Sequence, residues 1–248
     1  MTALPTTAVV ATAGSTDPAA PLVVLLHGRG SDESGIVGLA SYLPERFAYA
    51  AVRGPIDLGG SFTWFQNRGI GRPVPESLRA TMDWFRTWLG GVAPEGRPVV
   101  IVGFSGGAAF AGGLLLDDPS RWTGTAVLYG TLPFDAGVDV SPGRLDGARV
   151  LVAHGDTDPM IPRDLLDRTW SYLHDESGAA LTAYRDGGKP LQDSAVRAAF
   201  STAVPELALT AINAERRGQP SERPLQSLVR SLRTPALRTA LGSPAYTE

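Results

Sequence analysis

Two runs constrain this chain more than anything else in it. Leu22-Val23-Val24-Leu25-Leu26 and Val99-Val100-Ile101-Val102 are apolar at every position, so as strands they have no face fit for water. Strands of that kind belong inside a parallel sheet covered by helices on both sides. Further short runs, Thr7–Thr12, Tyr49–Val52, Thr125–Leu128, Val150–Ala153 and Leu181–Tyr184, read as the remaining strands. Helical patterns fall between them. Pro75 suits the first turn of a helix in which Leu78, Met82, Phe85 and Leu89 share one face, and Leu166, Trp170 and Leu173 repeat that spacing. The alternation predicts an α/β fold: a mostly parallel central sheet, right-handed crossovers, and a ligand site at the carboxyl ends of the strands.

At 248 residues the chain supports one substantial core rather than two. A net charge of −3 argues against a nucleic-acid-binding surface, which needs clustered positive charge. With no Cys there is no disulfide framework, no thiolate nucleophile and no Cys metal site. The three His (His27, His154 and His174) are scattered, and no motif implies a metal or an organic cofactor. Met1–Gly14 lacks the positive start of a signal peptide, and no apolar stretch reaches membrane-spanning length, so a cytoplasmic protein is expected.

The composition shifts after about residue 203, dividing the chain into a main domain over 1–203 and an extension over 204–248. The extension holds six Arg and four Glu with neither Asp nor Lys. Within it Leu225, Leu228, Val229 and Leu232 have helical spacing. A short helix over 222–233 is expected to pack back on the domain, with a partner or homodimer contact, or a disordered end, as the alternatives.

Gly103-Phe104-Ser105-Gly106-Gly107 places a G-x-S-x-G pattern directly after a buried strand and ahead of the small-residue helix Ala108–Leu116. In that context the serine sits on a tight strand-to-helix turn with its hydroxyl over the sheet, as a nucleophile requires. His27-Gly28-Arg29-Gly30 closes the first apolar strand, where an oxyanion-hole loop belongs. The N–H of Arg29 would pair there with that of Gly106. His27 is read as a structural histidine bonded to the loop backbone. Another strand ends in His154-Gly155-Asp156-Thr157-Asp158, where Asp158 is the candidate acid, Asp156 the alternative as a loop-capping carboxylate, and His154 a support for the turn.

In these motifs the chain resembles the phospholipase/carboxylesterase family of α/β-hydrolases, which includes the acyl-protein thioesterases. The resemblance runs over roughly residues 6–203: L-H-G-x-G at 26–30, Thr63-Trp64-Phe65 at the family's W-F motif, G-F-S-x-G-G-A, and H-G-x-x-D-x-x-x-P at 154–162. It implies a small-molecule acyl substrate, Ser105 as nucleophile and Asp158 as acid, with Trp64 and Met160 at or under the substrate pocket. The family commonly has Gln at the position of Gly106, a change that leaves the main-chain donor in place.

The last motif departs from the family, which closes its triad with a G-H pair after the final strand. Here Gly187-Gly188-Lys189 follows Leu181–Tyr184, so Lys189, the only Lys of the chain, stands where the general base belongs. An ordinary Lys stays protonated to about pH 10 and is a poor base, whereas burial lowers a Lys and Asp158 beside it raises one. Two functions are therefore expected as alternatives: a weak ester or thioester hydrolase, or a hydrolase fold turned to ligand binding or to a non-hydrolytic step such as cyclisation or elimination.

Overall fold

The computed structural model describes residues 3–155, 158 and 160–186. Its strands are β1 (Val10–Gly14), β2 (Leu22–Leu26), β3 (Ala48–Val52), the two-residue β4 (Ile56–Asp57) and β5 (Phe62–Thr63), β6 (Val99–Phe104), β7 (Gly124–Leu128), β8 (Arg149–Gly155) and β9 (Ala180–Asp186). Seven of them form one sheet in the order β1-β3-β2-β6-β7-β8-β9. All neighbours in it are parallel except β1 and β3. The mostly parallel sheet read from the sequence is the one observed.

β2 is buried along its whole length and β6 nearly so, and their side chains divide between two cores. Leu22, Val24, Leu26, Val99 and Ile101 face the layer of α2 (Pro75–Val92) and α3 (Gly106–Asp117). Val23, Leu25, Val100 and Val102 face the opposite layer, which contains Ile36 of the one-turn helix α1 (Glu33–Val37). In α2 the residues Leu78, Met82, Phe85 and Leu89 are all buried, each worth about 1.5–3 kcal/mol of transfer free energy before ordering costs. α4 (Arg163–Ser171) buries Leu166 and passes into a π turn that buries Leu173. Trp170, expected on the same face, is only half-buried and carries the Arg185 guanidinium 4.2 Å from its ring centroid.

β1 lies later than Thr7–Thr12. It pairs with β3 from Val10↔Val52 to Gly14↔Ala48, so its length is that of its partner, and residues before Val9 run past the end of the ladder. Gly14 ends it at φ +73°, a conformation costly for any residue with a Cβ. The β4–β5 hairpin had no signal in the hydrophobic pattern because each strand is only two residues long.

The order β3-β2-β6 sets the site. The chain leaves β2 toward one edge of the sheet to form β3, then returns across it to form β6, so the loops after β2 and β6 diverge over adjacent strand ends. A crevice outside the carboxyl ends at such a reversal is where open α/β sheets bind ligands. The expected helix at 222–233, the extension and Lys189 lie outside the described residues. Among the described residues no helix is long and apolar enough to cross a membrane.

Candidate active site

Ser105 occupies the turn between β6 and α3 with φ 52° and ψ −113°. A non-glycine residue there is strained, and such strain persists only where its surroundings enforce it. The enforcement is visible. Ser105 N–H donates to Leu128 O of β7 at 2.9 Å, and Ser105 O accepts from Ala108 N–H at 3.0 Å. Glycines make the turn possible by letting backbone meet backbone. A Cβ at Gly107 would overlap Leu26 O and sit 2.6 Å from His27 O, one at Gly103 would overlap Gly107 O, and one at Gly130 would stand 2.7 Å from Ser105 O.

The loop after β2 comes against this turn. A Cβ at Gly106 would lie 3.0 Å from Arg29 N, and one at Gly28 would lie 3.5 Å from Ser105 Cβ. Ser105, Gly106 and Arg29, read from separate parts of the sequence, are thus brought together, with the main chain of Arg29 beside the residue that follows the serine.

The loop is fastened from below. His27 is 1% exposed. Its Nε2 accepts from Gly54 N–H at 2.9 Å, which requires that Nδ1 carry the proton and donate to Gly28 O at 2.7 Å. Burial pushes this imidazole below the ordinary histidine range. The Trp64 indole N–H donates to His27 O at 2.8 Å, while its ring stacks on Phe110 of α3 at 4.6 Å. Trp64 is fully buried, so what it presents to the site is support for the loop. On the outer side Gly30 N–H donates to Phe62 O, and Phe62 N–H to Ser31 O.

Asp158 follows β8, two strands from Ser105, or about 10 Å across the sheet. Its Oδ1 accepts from Met160 N–H at 2.8 Å and Ile161 N–H at 3.1 Å. Asp158 thus holds the turn that follows it through one oxygen, and Asp156 lies outside the described residues. Met160 is exposed beside it. His154 is buried with its ring 4.9 Å from that of Trp170. His174 is exposed and bonded to Asp175. Among the described residues no three His, Asp or Glu side chains gather into a metal site.

Two features escaped the sequence reading. Tyr129 is a second non-glycine residue at positive φ (48°), and its N–H extends the ladder to Ala153 O at 2.7 Å, seating the end of β7 beside the Ser105 turn. Arg53, just past β3, forms a two-pronged ion pair with Glu33. Neither has a local motif that would announce it.

The sequence model of the phospholipase/carboxylesterase family matches residues 7–199. A Bacillus subtilis (strain 168) protein named putative hydrolase MhqD is 24% identical over 175 residues, covering 68% of this chain and 86% of that one. The crystal structure of a Bacillus cereus carboxylesterase superposes with a TM-score of 0.68 at 21% identity, over 82% of this chain and 94% of that one. Zea mays acyl-protein thioesterase 2 superposes with a TM-score of 0.58 at 18% identity, over 79% and 98%.

Proposed function

Because the chain belongs to the phospholipase/carboxylesterase family of hydrolases, we propose that it is a serine hydrolase of small or medium acyl esters or thioesters with Ser105 as its nucleophile. The observation that carries this reading is the Ser105 turn itself: a strained serine at a β6–α3 junction, with the main chain of Arg29 packed against Gly106. In the proposed reaction Ser105 Oγ attacks the ester carbonyl, the oxygen takes up negative charge, and the N–H groups of Arg29 and Gly106 stabilise it. The alcohol or thiol leaves with a proton, and water then releases the acyl group.

Asp158 is assigned as the acid that orients the base. Its Oδ1 is engaged by two loop N–H groups, and its second oxygen is the one assigned to the base. Lys189 stands where the resemblance places the base, and turnover is expected to be weak because an ammonium cannot accept the serine proton. Trp64 holds the floor of the loop, and Met160, exposed beside Asp158, is assigned to the substrate side. The second reading, a non-hydrolytic step or ligand binding on the same fold, rests on that single Lys189 departure.

The test is intact-mass analysis after a fluorophosphonate probe. Stoichiometric addition that Ser105→Ala abolishes is the expected result. A chain inert to the probe and to activated esters overturns the hydrolase assignment in favour of the second reading.

A further inference from the structure

The carboxyl end of β3 contains a pair that the nucleophile, acid and base do not use. Arg53 Nε donates to Glu33 Oε2 and Nη2 to Oε1, each at 2.6 Å. The Glu33 side chain is 10% exposed, so this carboxylate has little water to fall back on and its fixed partner is Arg53. The same guanidinium lies over the Phe62 ring, 4.4 Å from its centroid. Phe62 in turn is bonded through its backbone to Gly30 and Ser31, and Gly54, the residue after Arg53, donates to His27.

One planar cation therefore joins three pieces: the end of β3, the start of α1, and the strand that edges the loop after β2. The stretch they enclose, residues 28–32, includes Arg29. A planar fork that grips a carboxylate with two bonds and stacks on a ring fixes an orientation that a flexible point charge does not.

We propose that Arg53, gripped by Glu33, is a positioning residue that holds the loop after β2 so that the Arg29 N–H faces the oxyanion of the reacting ester. This rests on the hydrolase reading. Displacing a transition-state donor by a fraction of an ångström lowers the rate of the chemical step while leaving ground-state binding nearly untouched.

The experiment measures single-turnover and steady-state hydrolysis of p-nitrophenyl butyrate by the full chain, with melting temperatures recorded alongside. Arg53→Lys and Glu33→Gln are each expected to lower kcat by about 10- to 100-fold with KM changed by less than about twofold. The double variant is expected to lose no more than the worse single one, because both act through one contact. Arg79→Gln is the control, since it breaks a 2.6 Å pair with Asp117 at the far end of α3. It is expected to change melting temperature without changing kcat.

If Arg53→Lys fails to fold, Glu33→Gln alone decides. An active wild type whose kcat survives both substitutions, or falls only in proportion to folded protein, overturns the positioning role and leaves the hydrolase reading standing. A wild type inert to ester and fluorophosphonate overturns both.

Discussion

Gly54 N–H points at Nε2 of His27 from 2.9 Å, joining the end of β3 to the end of β2 through a neutral imidazole. Because the acceptor must be unprotonated, acid turns this contact from a hydrogen bond into a clash of two donors. The histidine of the L-H-G motif thus fastens the loop.

A pH dependence of stability follows. Burial depresses the folded-state affinity of His27 for a proton below the ordinary value of 6.5. The unfolded chain then binds more protons below that pH, so stability is fully present above about pH 6.5 and declines as pH falls from there toward the folded-state value. Melting temperature measured from pH 7.5 to 5 should drop for the wild type. His27→Gln should lower it overall and flatten that part of the profile. An unchanged slope in His27→Gln would show that other groups set it.

The glycines of the Ser105 turn should separate by position. Gly107→Ala drives a methyl group into the backbone of Leu26 and His27, which cannot give without parting β2 from α3, and should cost about 3 kcal/mol. Gly106→Ala meets Arg29 N at 3.0 Å and needs a shift of only tenths of an ångström. It should cost under about 1 kcal/mol of stability while lowering esterase kcat, since the atom that yields is a proposed oxyanion donor. Chemical denaturation and ester kinetics on the two variants check the contrast.

Much of this arrangement was legible beforehand, for physical reasons. β2 and β6 are apolar at every core position, a pattern few folds other than a covered parallel sheet accommodate. Gly103 and Gly107 flank a serine that must adopt positive φ, so the turn had a local signature. The Arg53–Glu33 pair spans 20 residues and the Trp64–His27 bond spans 37. Such contacts exist only once the strands are in order, and Arg and Glu are the residues least informative when read singly. Tyr129 was illegible for the opposite reason: its backbone conformation runs against the preference of its type, and tertiary packing imposes it.

Trp64→Phe isolates the indole N–H. The stack on Phe110 is kept, but His27 O loses its 2.8 Å donor in a buried setting, which costs about 1–3 kcal/mol. If Trp64 acts as floor to the loop, kcat should fall more than KM rises. A rise confined to KM would instead make it a substrate contact.

Lys189 gives the widest range of outcomes. As the proposed base, Lys189 enters the reaction as an ammonium, because an ordinary lysine amine stays protonated to about pH 10. Ester hydrolysis by the wild type should therefore be slow at neutrality and climb as pH rises toward and beyond 10, tracking the small fraction of free amine. Losing a triad base costs up to about 10⁶ in turnover while the oxyanion hole alone retains about 10³–10⁴ over water, so Lys189→His should raise the rate at pH 7.5 by orders of magnitude. It should also move the pH midpoint into the histidine range, where a neutral imidazole can take the Ser105 proton and return it to the leaving group. The measurement is a pH–rate profile of both proteins on one activated ester. A wild type already fast at neutral pH and slowed by Lys189→His would identify Lys189 as a desolvated working base in its own right.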